Sequence, residues 1–226
     1  MVAIGLAADH PEIAEIRRAG LPMTTVDSDH FEKLPSVDVD DEGGAVAAAE
    51  HLIELGHRDV LVIAIERAEH APSGAEDVVA RRLRGYRTAF ASAGIEIGDD
   101  DVVVSHATFA GGLDAIARAW RAGKRPTAVL AMSDAMAIGA IRGLRDRGLS
   151  IPSDVSVVGF DDIELAQTTD PPLTTIRQPI RGKGEEAVRL LLDLIAGRGQ
   201  PPEHRRLATE LIVRASTAAA PISRGR

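Results

Sequence analysis

Short apolar, β-branched runs alternate with helix-length stretches along this chain, and six of the helical stretches stop at a glycine. The runs are VAIGLA (2–7), MTTVD (23–27), VLVIAI (60–65), VVVS (102–105), AVLAM (128–132) and VSVVGF (155–160). Such nearly continuous apolar runs suit strands of a parallel sheet covered on both faces. The glycines are Gly20, Gly56, Gly94, Gly123, Gly148 and Gly197. Glycine enters the left-handed conformation after a helix without a Cβ clash, so this recurrence marks helix ends. Pro11 stands where a first helical residue is expected. Strand–helix repetition with short connections predicts right-handed βαβ units and a doubly wound α/β fold.

From Pro171 the alternation breaks. An extended LTTIRQP (173–179) precedes a helix (180–196), a Gly/Pro-rich loop (197–202) and a strand ELIVRAS (210–216). The helix carries Ala187, Leu190, Leu191, Leu194 and Ile195 on one stripe. This suits a chain that returns to an earlier lobe and crosses back. AAAPISRGR (218–226) reads as a frayed tail.

Composition narrows the function classes. A chain of 226 residues with 45% apolar and 27% charged residues has the make-up of a folded globular protein. It has no cysteine, which excludes disulfides and thiolate metal sites. Lys+Arg 26 against Asp+Glu 34 gives a net charge of -8, so DNA contact would need a local basic patch. Aromatic residues are 3% of the chain, too few for a base-stacking binder of single strands. MVAIGLAADHPE has neither a basic start nor a long apolar core, so a secretory signal is not expected, and with the lack of cysteine this suits a cytoplasmic protein. The histidines, His10, His30, His51, His57, His70, His106 and His204, are scattered without metal-ligand spacing. His57 is expected to help end a helix as a cation. No nucleophile elbow, dinucleotide glycine motif or P-loop occurs, so no catalytic residue, cofactor or metal is expected.

Six segments together resemble the core of LacI/GalR-type transcriptional regulators. They are GLPMTTVDSD (20–29), VDVDDEGGAVAAAEHLIELGHRDVLVI (37–63), RRLRGYRTAF (81–90), RPTAVLAMSDAMAIGAIRGLRDRGLSIPSDVSVVGFDDIELA (125–166), PPLTTIRQPIRGKGEEAVRLLLDLI (171–195) and ATELIVRAST (208–217). The resemblance implies a periplasmic-binding-protein-like fold of two doubly wound lobes with a small effector, a carbohydrate or related metabolite, held in a cleft. It puts residues 1–66 plus 178–198 in an N-terminal lobe, 67–177 plus 199–217 in a C-terminal lobe, and 218–226 in a tail. Crossings fall near 65–67, 176–178 and 197–202. VAIGLA matches the family's third strand, so the first lobe is expected to be incomplete, with one bare sheet edge, and operator DNA to be read by a helix-turn-helix headpiece with no counterpart here.

The resemblance also implies site residues. Asp161, directly after VSVVGF, would accept effector hydroxyls, with Asp162 capping the turn. Arg82, three residues before Gly85, would donate to the effector, the alternative being a solvated basic face shared with Arg81 and Arg84. Ser133 either caps a helix or touches ligand, and Asp134 orders the site. Gln178 either bonds the ligand or serves as a hinge residue. Phe109 either stacks on the ligand or lies in the core. Asp27 would offer an acceptor from the first lobe. Met136, Ile138, Ile141 and Leu144 would join a homodimer interface. A transporter's solute-binding protein is the alternative reading; an enzyme on the same fold is a third with only the fold in its favour.

Overall fold

The computed structural model describes residues 1–5, 11–28, 34–67, 77–198 and 203–221. These pack as two compact α/β units. The first takes the described residues within 1–41, 68–81 and 179–209; the second takes those within 42–67, 82–178 and 210–226.

In the first unit, β1 (Val2–Ile4), β2 (Thr24–Val26), β3 (Ser36–Val39) and β9 (His204–Leu207) form a parallel sheet in the order β1-β2-β3-β9. Helix α1 (Pro11–Arg18) begins at the expected proline. Helix α7 (Ile180–Ile195) buries Ala187 and Leu190 against Val26 and Val37, while Ile195, expected on the same stripe, is exposed.

The second unit has a six-stranded sheet. Its order is β10-β8-β7-β6-β4-β5, where β4 is Val60–Ile65, β5 Val102–Ser105, β6 Ala128–Ala131, β7 Ser156–Asp161, β8 Thr174–Arg177 and β10 Glu210–Ile212. All neighbours run parallel except β10 on β8. The helices are α2 (Asp41–Glu54, its first residue counted with the first unit), α3 (Val78–Ser92, counted with the first unit up to Arg81), α4 (Phe109–Arg121), α5 (Asp134–Arg145) and the short α6 (Glu164–Thr168). All six glycines expected to end helices have positive φ, from 66° at Gly197 to 87° at Gly56.

The unit boundaries differ from the expected lobes. β4, expected in the first lobe, pairs with β5 and β6 in the second unit. Its run VLVIAI is buried along five of six residues, which suits an interior strand. β9 falls in the first unit, where its polar HRRL forms an exposed edge. The chain passes between the units at 41/42, 67/68, 81/82, 178/179 and 209/210; of the loop expected to hold the last crossing, 197–202, residues 199–202 lie outside the described residues.

The tail is not frayed over its described part. Ala220 N–H donates to Leu55 O at 2.8 Å, and Ala218 O lies 3.0 Å from His57 Nε2. His57 is 1% exposed, and its ring nitrogens also meet Thr127 Oγ1 and Ser156 Oγ, each at 3.0 Å. A carbonyl has no proton to give, so Nε2 carries one toward Ala218 O. Burial lowers the His57 pKa below its ordinary 6.5, so the ring is a neutral tie and not the expected helix-end cation. A depressed histidine pKa makes the unfolded chain bind protons first. The stability it contributes is full above pH 6.5 and is lost as pH falls from there toward the folded value. Wild type is therefore expected to lose urea resistance between pH 7.5 and 6 more steeply than His57→Gln. At pH 7.5 the variant should be less stable by about 1–2 kcal/mol, through its poorly paired buried partners. Parallel pH profiles for the two proteins would contradict this.

Candidate functional site

In parallel sheets, ligands gather at the carboxyl ends of strands, where loops and helix N-termini meet. In the second unit, β6 runs out through Met132 into Ser133. Ser133 has extended φ and ψ, and its Oγ accepts from Met136 N–H at 3.3 Å, so it is the N-cap of α5. β7 runs out through Phe160 into Asp161 and Asp162, whose φ angles are 133° and 57°. Two successive non-glycine residues with positive φ are strained and need external anchors.

The anchors are visible. Asp134 is fully buried. Its Oδ2 accepts from Ile163 N–H at 2.9 Å and its Oδ1 from Thr175 Oγ1 at 2.5 Å. Asp162 accepts from Arg177 Nε at 2.7 Å and from Arg214 Nη2 at 2.5 Å. Burial alone would raise the Asp162 pKa, but these two guanidinium groups outweigh it and hold the carboxyl below the usual range. Asp162 is thus an ion-pair hub, and Asp134, rather than Asp162, secures the turn.

Asp161 is left facing the donors. Gln178 Nε2 donates to its Oδ1 at 2.6 Å. Loss of water around it pushes its pKa up to about 6, against the pull of the Arg82 charge, while nearby Asp134 adds to the rise. Arg82 extends from the first turn of α3. Its Nη1 donates to Met132 O at 2.6 Å and its guanidinium lies 3.5 Å above the centre of the Phe160 ring. At 4% exposure it is no part of a solvated basic face. Asp161, Arg82 and Gln178 therefore form one polar constellation over an aromatic floor: an acidic acceptor, a fixed fan of donors and an amide that is both. Such a group suits a neutral polyhydroxylated ligand.

Phe109 opens α4 just after β5. It is 47% exposed and so is a surface aromatic rather than a core one. Asp27 belongs to the first unit, where it follows β2 with φ 50°. Lys183 Nζ donates to its Oδ2 at 2.5 Å, and its buried Oδ1 has no hydrogen-bond partner among the described residues. Met136, Ile141 and Leu144 belong to the core of the second unit, and Ile138 packs against it. Much of the apolar surplus on α5 is taken up by α4 and the sheet: Met136, Ile141 and Leu144 are buried there, and Ile138 is partly buried. Sequence reasoning missed Phe160 as a floor and Thr175 as a tether. A signal for Thr175 existed: Thr174 and Thr175 are polar residues in a strand otherwise reading as buried, and both are 0% exposed. His10, His30 and His70 lie outside the described residues.

A family model described as a periplasmic binding protein-like domain matches residues 49–217. The HTH-type transcriptional regulator MalR of Streptomyces coelicolor is 38% identical over 97% of this chain and 62% of its own length. The HTH-type transcriptional repressor CytR of Escherichia coli K12 is 38% identical over 84% of this chain and 53% of its own. The chain thus spans little more than half to under two thirds of these relatives. Among solved structures, a complex of the transcriptional regulator CelR with cellobiose superposes with TM-score 0.86 at 34% identity, over 95% of this chain and 64% of that one. A LacI-family regulator from Enterococcus faecium with bound ribose gives TM-score 0.82 at 28% identity, over 96% and 80%. The parallel α/β sheets, the matched residues and these neighbours agree: the chain belongs to the periplasmic binding protein-like domain family, in the form that makes up the core of LacI-family regulators.

Proposed function

We propose that this chain senses a small sugar or related metabolite as the effector region of a LacI-type transcriptional regulator of the repressor kind. The observation that carries the reading is the Asp161–Arg82–Gln178 constellation at the carboxyl ends of β6 and β7. Asp161 accepts hydroxyl protons, Arg82 donates to oxygens, and the exposed Phe109 ring offers a face to the apolar side of a pyranose. Ser133 and Gln178 supply further polar contacts. The matched relatives are named as regulators, which favours this reading over a transporter's solute-binding protein and over an enzyme. In the intact regulator the chain works as a cytoplasmic homodimer, and operator DNA is read by a helix-turn-helix. Effector changes operator affinity by no more than its own difference in affinity for the two states of the regulator.

Thermal shift tests it, with cellobiose, ribose and a wider sugar and nucleobase panel. A bound ligand at 100 times its Kd stabilises by about 2.7 kcal/mol. A sugar is expected to raise the Tm of wild type, and Asp161→Ala is expected to abolish that rise. The response should also fade from pH 7 to 5, as a carboxyl with pKa about 6 takes up a proton and stops being a double acceptor. Equal stabilisation of both proteins would show the site to be elsewhere. Stabilisation by nucleobases and by no sugar would overturn the ligand class.

A further inference from the structure

Adjacent arginines at the start of α3 hold two different anchors. Arg82 takes the pose described above, over Phe160 and on Met132 O. Arg81 is 6% exposed, and its Nε and Nη2 donate to Oδ2 of Asp41 at 3.2 and 2.8 Å. Asp38 lies 3.9 Å from the same Nη2. Asp41 is itself 1% exposed and is the first residue of α2. Two charges with so little water stabilise each other, and removing either costs more than it would for an exposed pair. One turn further on, α3 touches α2 again. A Cβ on Gly85 would come within 2.5 Å of Glu42 O and 2.8 Å of Ala45 Cβ, so the helices meet there backbone to backbone. Arg84 reinforces the contact through Glu42 at 2.9 Å.

Further along, α3 is fixed by its buried Tyr86, Ala89 and Phe90, so what remains to be set is the direction of its first turn. Side chains one residue apart on a helix point about 100° apart, so fixing one in a rigid direction fixes the other. The Asp77 carboxylate caps the turn by accepting Ala80 N–H at 2.8 Å, which keeps the turn itself intact. Gly85 supplies the pivot and Arg81 the stop.

We propose that Arg81, through its buried pair with Asp41, is the positioning residue that sets the roll of the first turn of α3 and so aims Arg82 at Phe160 and Asp161. Its consequence for ligand binding rests on the effector reading above; the positioning itself does not. Arg81 need touch no ligand. A preset Arg82 spares the ligand the ordering of a long side chain, so affinity depends on a residue outside the binding constellation.

Nuclear magnetic resonance on the ligand-free protein separates the two claims. A guanidinium 3.5 Å above a ring centre has its side-chain protons shifted upfield by the ring current. In Arg81→Met the upfield shift of Arg82 is expected to be lost, and the Asp161 carboxyl pKa, read by carbon-13 titration, to rise by about 0.5 or more as the Arg82 charge withdraws. Arg81→Lys, which keeps the charge but not the fork of two nitrogens, should fall between. A merely structural role would lower the Tm and leave both Arg82 signals and the Asp161 titration in place; that result in a folded Arg81→Met overturns the proposal. If Arg81→Met does not fold, Asp41→Asn, which keeps an acceptor of the same shape, is read in its place by the same criteria. Should the Arg82 signals move while no sugar binds wild type, the positioning stands and the effector reading fails.

Discussion

Gly139→Ala is expected to destabilise the second unit by about 3 kcal/mol and to remove any sugar response with it. A Cβ at this position would stand 2.0 Å from Phe109 O and 3.0 Å from Leu113 N. The reciprocal contact is as tight, since a Cβ on Gly112 would stand 2.0 Å from Met136 O. α4 and α5 therefore cross with their backbones in contact, and no side-chain rotation can relieve the clash. The helices must part, and the buried Ala115, Ile116, Ala119, Met136, Ala140, Ile141 and Leu144 lose their packing together. The site suffers because both helices begin in it, α4 at Phe109 and α5 just after Ser133. Trp120, the single tryptophan of the chain, lies on α4 and packs against this core, so its fluorescence in a urea titration reports the unit concerned. The midpoint should fall with the slope unchanged. A loss below about 1 kcal/mol would mean that the helices are not held as closely as described.

The same crossing shows what the sequence conceals. Hydrophobic runs and helix-ending glycines carry a local signal, and the strands and helices they mark are present. Gly112 and Gly139 sit inside helices, where a glycine lowers helix propensity and signals nothing about its neighbour. Without knowing that α4 meets α5, the apolar residues of α5 read as a surplus for a second copy, whereas they fill the core. β3 and β9 were not legible for the opposite reason. SVDV and HRRL hold too few apolar residues to read as strands, and they take that form through pairing with each other and with β2. Asp161 and Arg82 were singled out by motif, and the structure places Asp161 at the end of β7 and Arg82 on Met132 O. Arg82 was distinguished from Arg81 by an offset of three from Gly85, and the two side chains do take different anchors. Which carboxylate secures the turn was not legible, since Asp134 and Asp162 differ in their partners across the fold rather than in their local sequence.

Asp134→Ala should lower stability by about 3 kcal/mol and abolish sugar binding, although Asp134 need not touch the ligand. Its two oxygens take the Thr175 hydroxyl and Ile163 N–H, and both donors are left in dry surroundings when the carboxyl goes. The space left behind adds a cavity term. The carboxyl also stands where a Cβ on Gly159 would be, 2.2 Å from its Oδ1, so β7 is shaped around it. Its further effect is on the turn. With φ of 133° at Asp161 and 57° at Asp162, the backbone favours other conformations, and Ile163 N–H on Asp134 is what ties the far side down. Released, the turn carries Asp161 away from Gln178 and Arg82. Asp134→Asn separates the contributions. Its amide oxygen can keep Ile163 N–H while its NH2 donates to the Thr175 oxygen, and burial, which already raises the Asp134 pKa, no longer works against a charge. It should cost within about 1 kcal/mol and keep the sugar response. Asp134→Ala losing as little as Asp134→Asn, with its sugar response intact, would mean that the Arg177 and Arg214 pairs on Asp162 hold the turn unaided.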